Sequence, residues 1–257
     1  VSTNSQGQNT DEFYIGYGKV PTAIKRFLLI LIPLLALVIL TIAAVFPLIH
    51  DQFNSGKVNK AQEFEGLLLG KPVPHLLVPR PGDTSSQASY SRYLLTGPGK
   101  TSPRSSVLDQ VGKWVKLTGS PVYRNNLTVI AARSAEAIDP PSGAVKPDAG
   151  KSLGEFSLLG EILDSKCYPG VMKPGQTKTH RSCAIRCISG GVPPVFLVYN
   201  QQGDNLYLLL VDRQNQAINS RILDKVADPI RITGEVVQYG DMFVLKADPE
   251  NYELVTQ

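Results

Sequence analysis

All three cysteines of this 257-residue chain and one of its three histidines fall in one short stretch, as Cys167, His180, Cys183 and Cys187. The set reads Cys-x12-His-x2-Cys-x3-Cys, four soft or borderline donors. Its last part reads as a short helix, with Thr179 as N-cap and Gly190-Gly191, followed by Pro193, as its end. On such a helix His180, Cys183 and Cys187 stand at i, i+3 and i+7 and share a face. Cys167, leaving the preceding strand, closes over that face. Three chemistries use such donors. Three thiolates and an imidazole make the tetrahedral environment of a structural zinc ion. The same ligand types hold an iron–sulfur cluster, whose potential an imidazole raises. In an oxidising compartment Cys167 would instead form a disulfide with Cys183 or Cys187, leaving one thiol over. Cys183 and Cys187, a turn apart, aim badly at each other.

Other chemistries find less support. The Cys-x-x-Cys of thioredoxin-like redox work is missing, and with it the Cys-x-x-Cys-His of attached haem, so haem would have to rest on His180 alone. The sequence contains no Gly-x-Ser-x-Gly elbow, phosphate loop or His-Glu-x-x-His, and no catalytic residue is assigned. Lys166, Lys173, Lys178, Arg181 and Arg186 surround the cysteines. Such a group either binds an anion, lipid headgroups or an acidic partner, or is a solvated loop. A net charge of only +4 argues against nucleic acid.

The elements that must position these residues begin with a membrane anchor. Residues 27–49 carry no charge. At about 1.5 Å per residue they are long enough as a helix to cross a hydrocarbon core of about 30 Å. Pro33 and Pro47 lie near its ends. Pro47-Leu48-Ile49-His50 makes a poor signal-peptide cleavage site. Lys19, Lys25 and Arg26 precede the segment and Asp51 follows it, so the positive-inside bias predicts a cytoplasmic tail over residues 1–26 and an extracytoplasmic remainder at the inner membrane. The first residues form a polar tail.

Beyond the anchor the chain reads as strands punctuated by Gly, Pro and Asn, and it repeats. Residues 111–122 align with residues 226–237, sharing alternation and a Thr-Gly. Leu127-Thr128-Val129-Ile130 aligns with Met242-Phe243-Val244-Leu245. Upstream, Phe64–Leu68 corresponds to Leu158–Ile162, His75–Val78 to Val195–Val198, and Tyr93-Leu94-Leu95 to Tyr207-Leu208-Leu209. The sequence therefore predicts a mainly β protein: one transmembrane helix, then two tandem OB-like antiparallel barrels over residues 50–138 and 152–257, joined by a linker over residues 139–151. Only the second copy carries the Cys/His insert, residues 164–191. Because the first copy lacks one, the strands of the second (Val195–Val198, Leu206–Val211) are expected to fold without it.

The stretch Gly160-Glu161-Ile162-x-Asp164-x-x-Cys167-Tyr168, with His180-x-x-Cys183-Ala184-x-x-Cys187 and Gly190-Gly191-x-Pro193, resembles a segment of uncharacterised exported bacterial proteins, as does Phe13-Tyr14-Ile15-Gly16-Tyr17 before the helix. Such proteins look like companions of membrane-bound respiratory or redox enzymes. The resemblance implies an accessory subunit whose partners are membrane lipid, through residues 27–49, and other subunits of a membrane complex. Two further readings stand beside it. One is a redox subunit with a cluster or haem at the insert. The other is an envelope-binding module using Tyr90, Tyr93, Trp114 and Tyr123 on a barrel face.

Overall fold

The computed structural model describes residues 20–51, 56–80, 90–124, 126–142, 144, 147, 149–170, 172–199 and 205–255. The polar tail, the Phe13–Tyr17 motif and Lys19 lie outside them. Helix α1, Thr22–Asp51, includes Lys25 and Arg26 and so begins before the uncharged segment. Within it Ile24–Ile49, whose most apolar 18 residues have a mean hydropathy of 3.1 and are not buried, is a segment long and apolar enough to cross a membrane. The same properties serve an anchor or an export signal.

The remainder, Gln52–Gln257, is one compact unit containing two barrels. The first is made of β1 (Lys57–Val58), β2 (Gln62–Leu69), β3 (His75–Pro79), β4 (Tyr90–Thr96), the one-turn α2 (Ser105–Leu108), β5 (Trp114–Arg124) and β6 (Leu127–Ala137). Its strands run β5-β2-β3-β4-β6 and close through β5–β6, while β1 extends the edge of β5. All pairs are antiparallel except β4–β6. The second contains β7 (Lys151–Asp164), α3 (Thr177–Ser189), β8 (Pro194–Tyr199), β9 (Asn205–Val211), β10 (Pro229–Tyr239), β11 (Met242–Lys246) and β12 (Glu253–Leu254). It closes the same way, with β9–β11 as the parallel pair. This is the wiring of an OB barrel, twice. Val107 of α2 plugs the first core, and Ile218 and Ile222, from the β9–β10 connection, plug the second.

Strand register bears out most of the repeat. Gly66 and Gly160 occupy equivalent places, and a Cβ on either would run into a backbone carbonyl of the facing strand, Leu77 or Leu197. Gly119 and Gly234 are likewise crowded by β6 and by Lys246–Ala247, and β5 shifts register against β6 between Thr118 and Gly119. One alignment is off by a residue. His75 faces Leu94 and the equivalent Val195 faces Leu209, so Leu94 corresponds to Leu209 and Tyr93 to Leu208.

That corrected register explains how the barrels meet. Leu94, Leu127 and Val129 of the first lie in one buried cluster with Leu209, Met242 and Val244 of the second, their own equivalents. Val73, Leu163, Tyr168, Val195, Leu197, Tyr207 and Val211 complete it. Equivalent faces thus cover each other, and each large side chain so buried contributes about 1.5–3 kcal/mol. OB barrels often bind ligands on such a face; here it is occupied. Trp114 is buried, Tyr93 packs edge-on against Phe64, and Tyr123 is exposed.

Where the second barrel has Val195 and Tyr207, the first has His75 and Arg92, both buried. His75 Nδ1–H donates to Val73 O at 2.8 Å, leaving Nε2 to accept from Arg92 at 3.0 Å. The Arg92 guanidinium lies 5.1 Å from the centre of the Tyr239 ring, and the carboxylate of Asp241 accepts from both Arg92 N–H and the Arg80 guanidinium. Burial, aided by the Arg92 charge and opposed by the Val73 hydrogen bond, pushes the His75 pKa from 6.5 down to about 4. The unfolded chain therefore takes up a proton below about pH 6.5 that the folded one refuses until about pH 4, so this group's contribution to stability is lost as the pH falls through that window. It amounts to about 3 kcal/mol. Denaturation of the wild type and of His75→Gln between pH 7 and pH 4 should show the steeper fall in the wild type; equal slopes would contradict a neutral buried His75.

Candidate metal centre

The insert leaves β7 at Asp164, whose side chain has no exposed surface. Its Oδ1 accepts the backbone N–H of Cys167 at 2.6 Å and of Lys166 at 3.2 Å, which folds the chain into a turn. Its Oδ2 accepts from His180 Nε2 at 2.9 Å. One carboxylate thereby fixes both the loop cysteine and the helix histidine.

Helix α3 begins at Thr177, with Gln176 rather than Thr179 as its N-cap. The Thr177 backbone is left-handed, φ 61°, and its N–H donates to Glu161 at 2.9 Å. Glu161 also accepts from the Tyr199 hydroxyl, and burial raises its carboxyl pKa. An open cavity of about 990 Å³ lies here, lined by Leu159, Glu161, Lys178, Tyr199 and Leu254; none of the thiols lines it. The inward face of α3 is His180, Ala184, Cys187 and Ile188, a helical stripe. Ala184 and Ile188 belong to the main core of the second barrel, together with Ile162, Phe196 and Ile222. The insert is therefore not a graft on a self-sufficient barrel, because it supplies part of that core.

The candidate ligands gather in two overlapping groups that share Cys167, the second of which also includes Asp164. Ligand atoms of Cys167, His180 and Cys183 lie within 4.8 Å of one another. Cys187 joins through Cys167, their sulfurs 3.5 Å apart and unbonded. Cys167 and Cys187 are buried; Cys183 is at the rim. The Nδ1 of His180 is buried with no hydrogen-bond partner, while Nε2 is held by Asp164. A metal-bound histidine has this arrangement: one nitrogen for the ion, the other oriented by a carboxylate. Contact with Cys187 and then burial hold the Cys167 pKa well above the ordinary thiol range, and burial raises that of Cys183.

The basic residues do not form one patch. Lys166 is turned inward, its Nζ donating to three successive carbonyls of the first barrel, Gly97 at 2.5 Å, Pro98 at 2.9 Å and Gly99 at 2.7 Å. An ammonium has three N–H groups, and all are spent here. Arg181 is paired with Asp228 and bonds Asp224 O. Lys173 is half-buried, and Lys178 and Arg186 are exposed. The expectation of an anion- or partner-binding cluster fails for Lys166 and Arg181, whose charges serve the fold.

Two site residues escaped the sequence reading. Asp164 has a local signal, an Asp three residues before a Cys, the spacing of a side-chain-to-backbone turn. Lys100 has none. It comes from the first barrel, and its Nζ donates to Cys183 Sγ at 2.9 Å.

Since Ile188 is buried in the barrel core, Ile188→Ala should destabilise the protein by about 2–5 kcal/mol, read from denaturant titration of the detergent-solubilised chain followed by circular dichroism. An effect under 0.5 kcal/mol would restore the graft picture.

No protein-family model matches this chain, and no curated protein or solved structure matches it. The reading of the site therefore rests on its own donors, the His180 ring and the sulfurs of Cys167 and Cys183, with Cys187 beside Cys167.

Proposed function

We propose that this is a membrane-anchored, non-catalytic accessory subunit of a membrane-bound electron-transfer complex, and that its second barrel, on the extracytoplasmic side, holds one zinc-type metal ion through Cys167, His180, Cys183 and Cys187. The observation that carries the metal is the His180 ring, which has a nitrogen within 4.8 Å of the sulfurs of Cys167 and Cys183 and whose Nδ1 is buried without a partner. Metal–sulfur bonds of about 2.3 Å in a tetrahedron set sulfurs about 3.8 Å apart, close to the 3.5 Å between Cys167 and Cys187. A four-iron cluster separates its cysteine sulfurs further. A Cys167–Cys187 disulfide would leave the His180 nitrogen buried and unsatisfied, which is costly. The apolar helix, the likeness of the cysteine segment to exported companions of redox enzymes, and the lack of a catalytic motif support the accessory role. The mutual covering of the two barrel faces speaks against an envelope-binding module.

Elemental analysis and thiol titration of the full chain, purified anaerobically in mild detergent, test the metal. One zinc per chain is expected, with three thiols shielded until a chelator is added, and Cys183→Ser should lose most of the metal. A metal-free protein with one disulfide and one thiol would refute the centre. Iron in place of zinc would transfer the reading to a redox subunit. For the assembly, co-purification with other membrane subunits is expected; a lone monomer in several mild detergents would count against it.

A further inference from the structure

The loop Gly97–Ser102 of the first barrel touches the insert of the second at both of its ends. At the start, Lys166, neighbour of Cys167, gives its three N–H groups to Gly97, Pro98 and Gly99. At the finish, Ser102 N–H donates to Gly190 O at 2.8 Å, and Gly190 and Gly191 lie so close to Lys100 O and Ser102 that a Cβ on either would collide. Between them Lys100 Nζ reaches Cys183 Sγ, the one sulfur at the rim. The loop is itself closed by Gly97 N–H donating to Thr101 O at 2.8 Å.

Charge gives this contact a purpose. A divalent ion, three thiolates and a neutral imidazole sum to minus one. Lys100 places an ammonium on that anion where it meets solvent, and an N–H donor to a metal-bound thiolate lowers the sulfur's basicity and its reactivity.

Resting on the metal centre proposed above, we infer that this loop is the outer part of that centre: Lys100 is a positioning residue that holds the metal-bound Cys183 thiolate, and retention of the ion is thereby coupled to docking of the first barrel on the second. Loading the metal orders the loop, and loosening the loop releases the metal.

The test uses the intact chain in detergent, with zinc and then cobalt(II) as the probe metal. Lys100→Met should weaken zinc binding about 10- to 100-fold in competition with a chelator. It should also shift the cobalt–thiolate charge-transfer band and speed alkylation of Cys183 in the metal-loaded protein. Lys100→Arg, which keeps the charge and a donor, should recover most of the affinity. In the wild type, stripping the metal should accelerate amide hydrogen exchange at Gly97 and Ser102. If the wild type binds one metal but Lys100→Met matches it in affinity, spectrum and alkylation, and exchange at the loop ignores the metal, the coupling is wrong while the metal centre stands. If the wild type binds neither zinc nor cobalt, both fall together.

Discussion

Asp164 ends β7 with no surface exposed, and a carboxylate in that position must be satisfied completely or destabilise the fold by several kcal/mol. Its satisfaction organises the whole insert. Two backbone N–H groups on one oxygen make the turn that delivers Cys167, and the imidazole N–H on the other fixes the ring of His180. With His180 fixed on α3, the helix can turn only one stripe inward, which takes Ala184 and Ile188 into the barrel core and Cys187 to Cys167. Chemistry and packing in the second barrel are consequences of the same buried charge.

The fold was largely legible in the sequence because the repeat carried it. Thr-Gly at equivalent points of β5 and β10, and Gly66 matching Gly160, mark places where a side chain would strike a neighbouring strand, so they identify geometry as well as order. The alignment slipped at β4 and β9 for a physical reason. Leu206 to Val211 is a continuous apolar run, since the strand faces its own core on one side and the other barrel on the other. A strand buried on both faces has no alternation to fix its register.

The site was legible in part. Cysteines and a histidine announce themselves by rarity, and helical spacing placed three of them together. Lys166 was misread because a lysine among polar residues looks like surface; only the fold shows three carbonyls of the other barrel converging on it. Lys100 is 83 positions from Cys183, and no local pattern links them. The supposed independence of the second barrel failed because a sister copy without an insert shows what the topology needs, whereas the space filled by Ile188 is a matter of volume.

The two barrels meet through equivalent faces, Leu94 with Leu209 and Val129 with Val244 in one cluster, as the halves of a symmetric homodimer would. Covalent fusion changes what such a pair can become. In a homodimer every substitution is made twice, and an insertion between the first two strands would appear on both subunits. In a single chain each half is free to diverge. One half has a short β2–β3 connection and the His75–Arg92 pair, while the other carries α3 and the thiols. The tandem is thereby asymmetric: its two halves share a wiring, but only one of them carries the cysteines, so the pseudo-symmetry of the barrels does not extend to the chemistry.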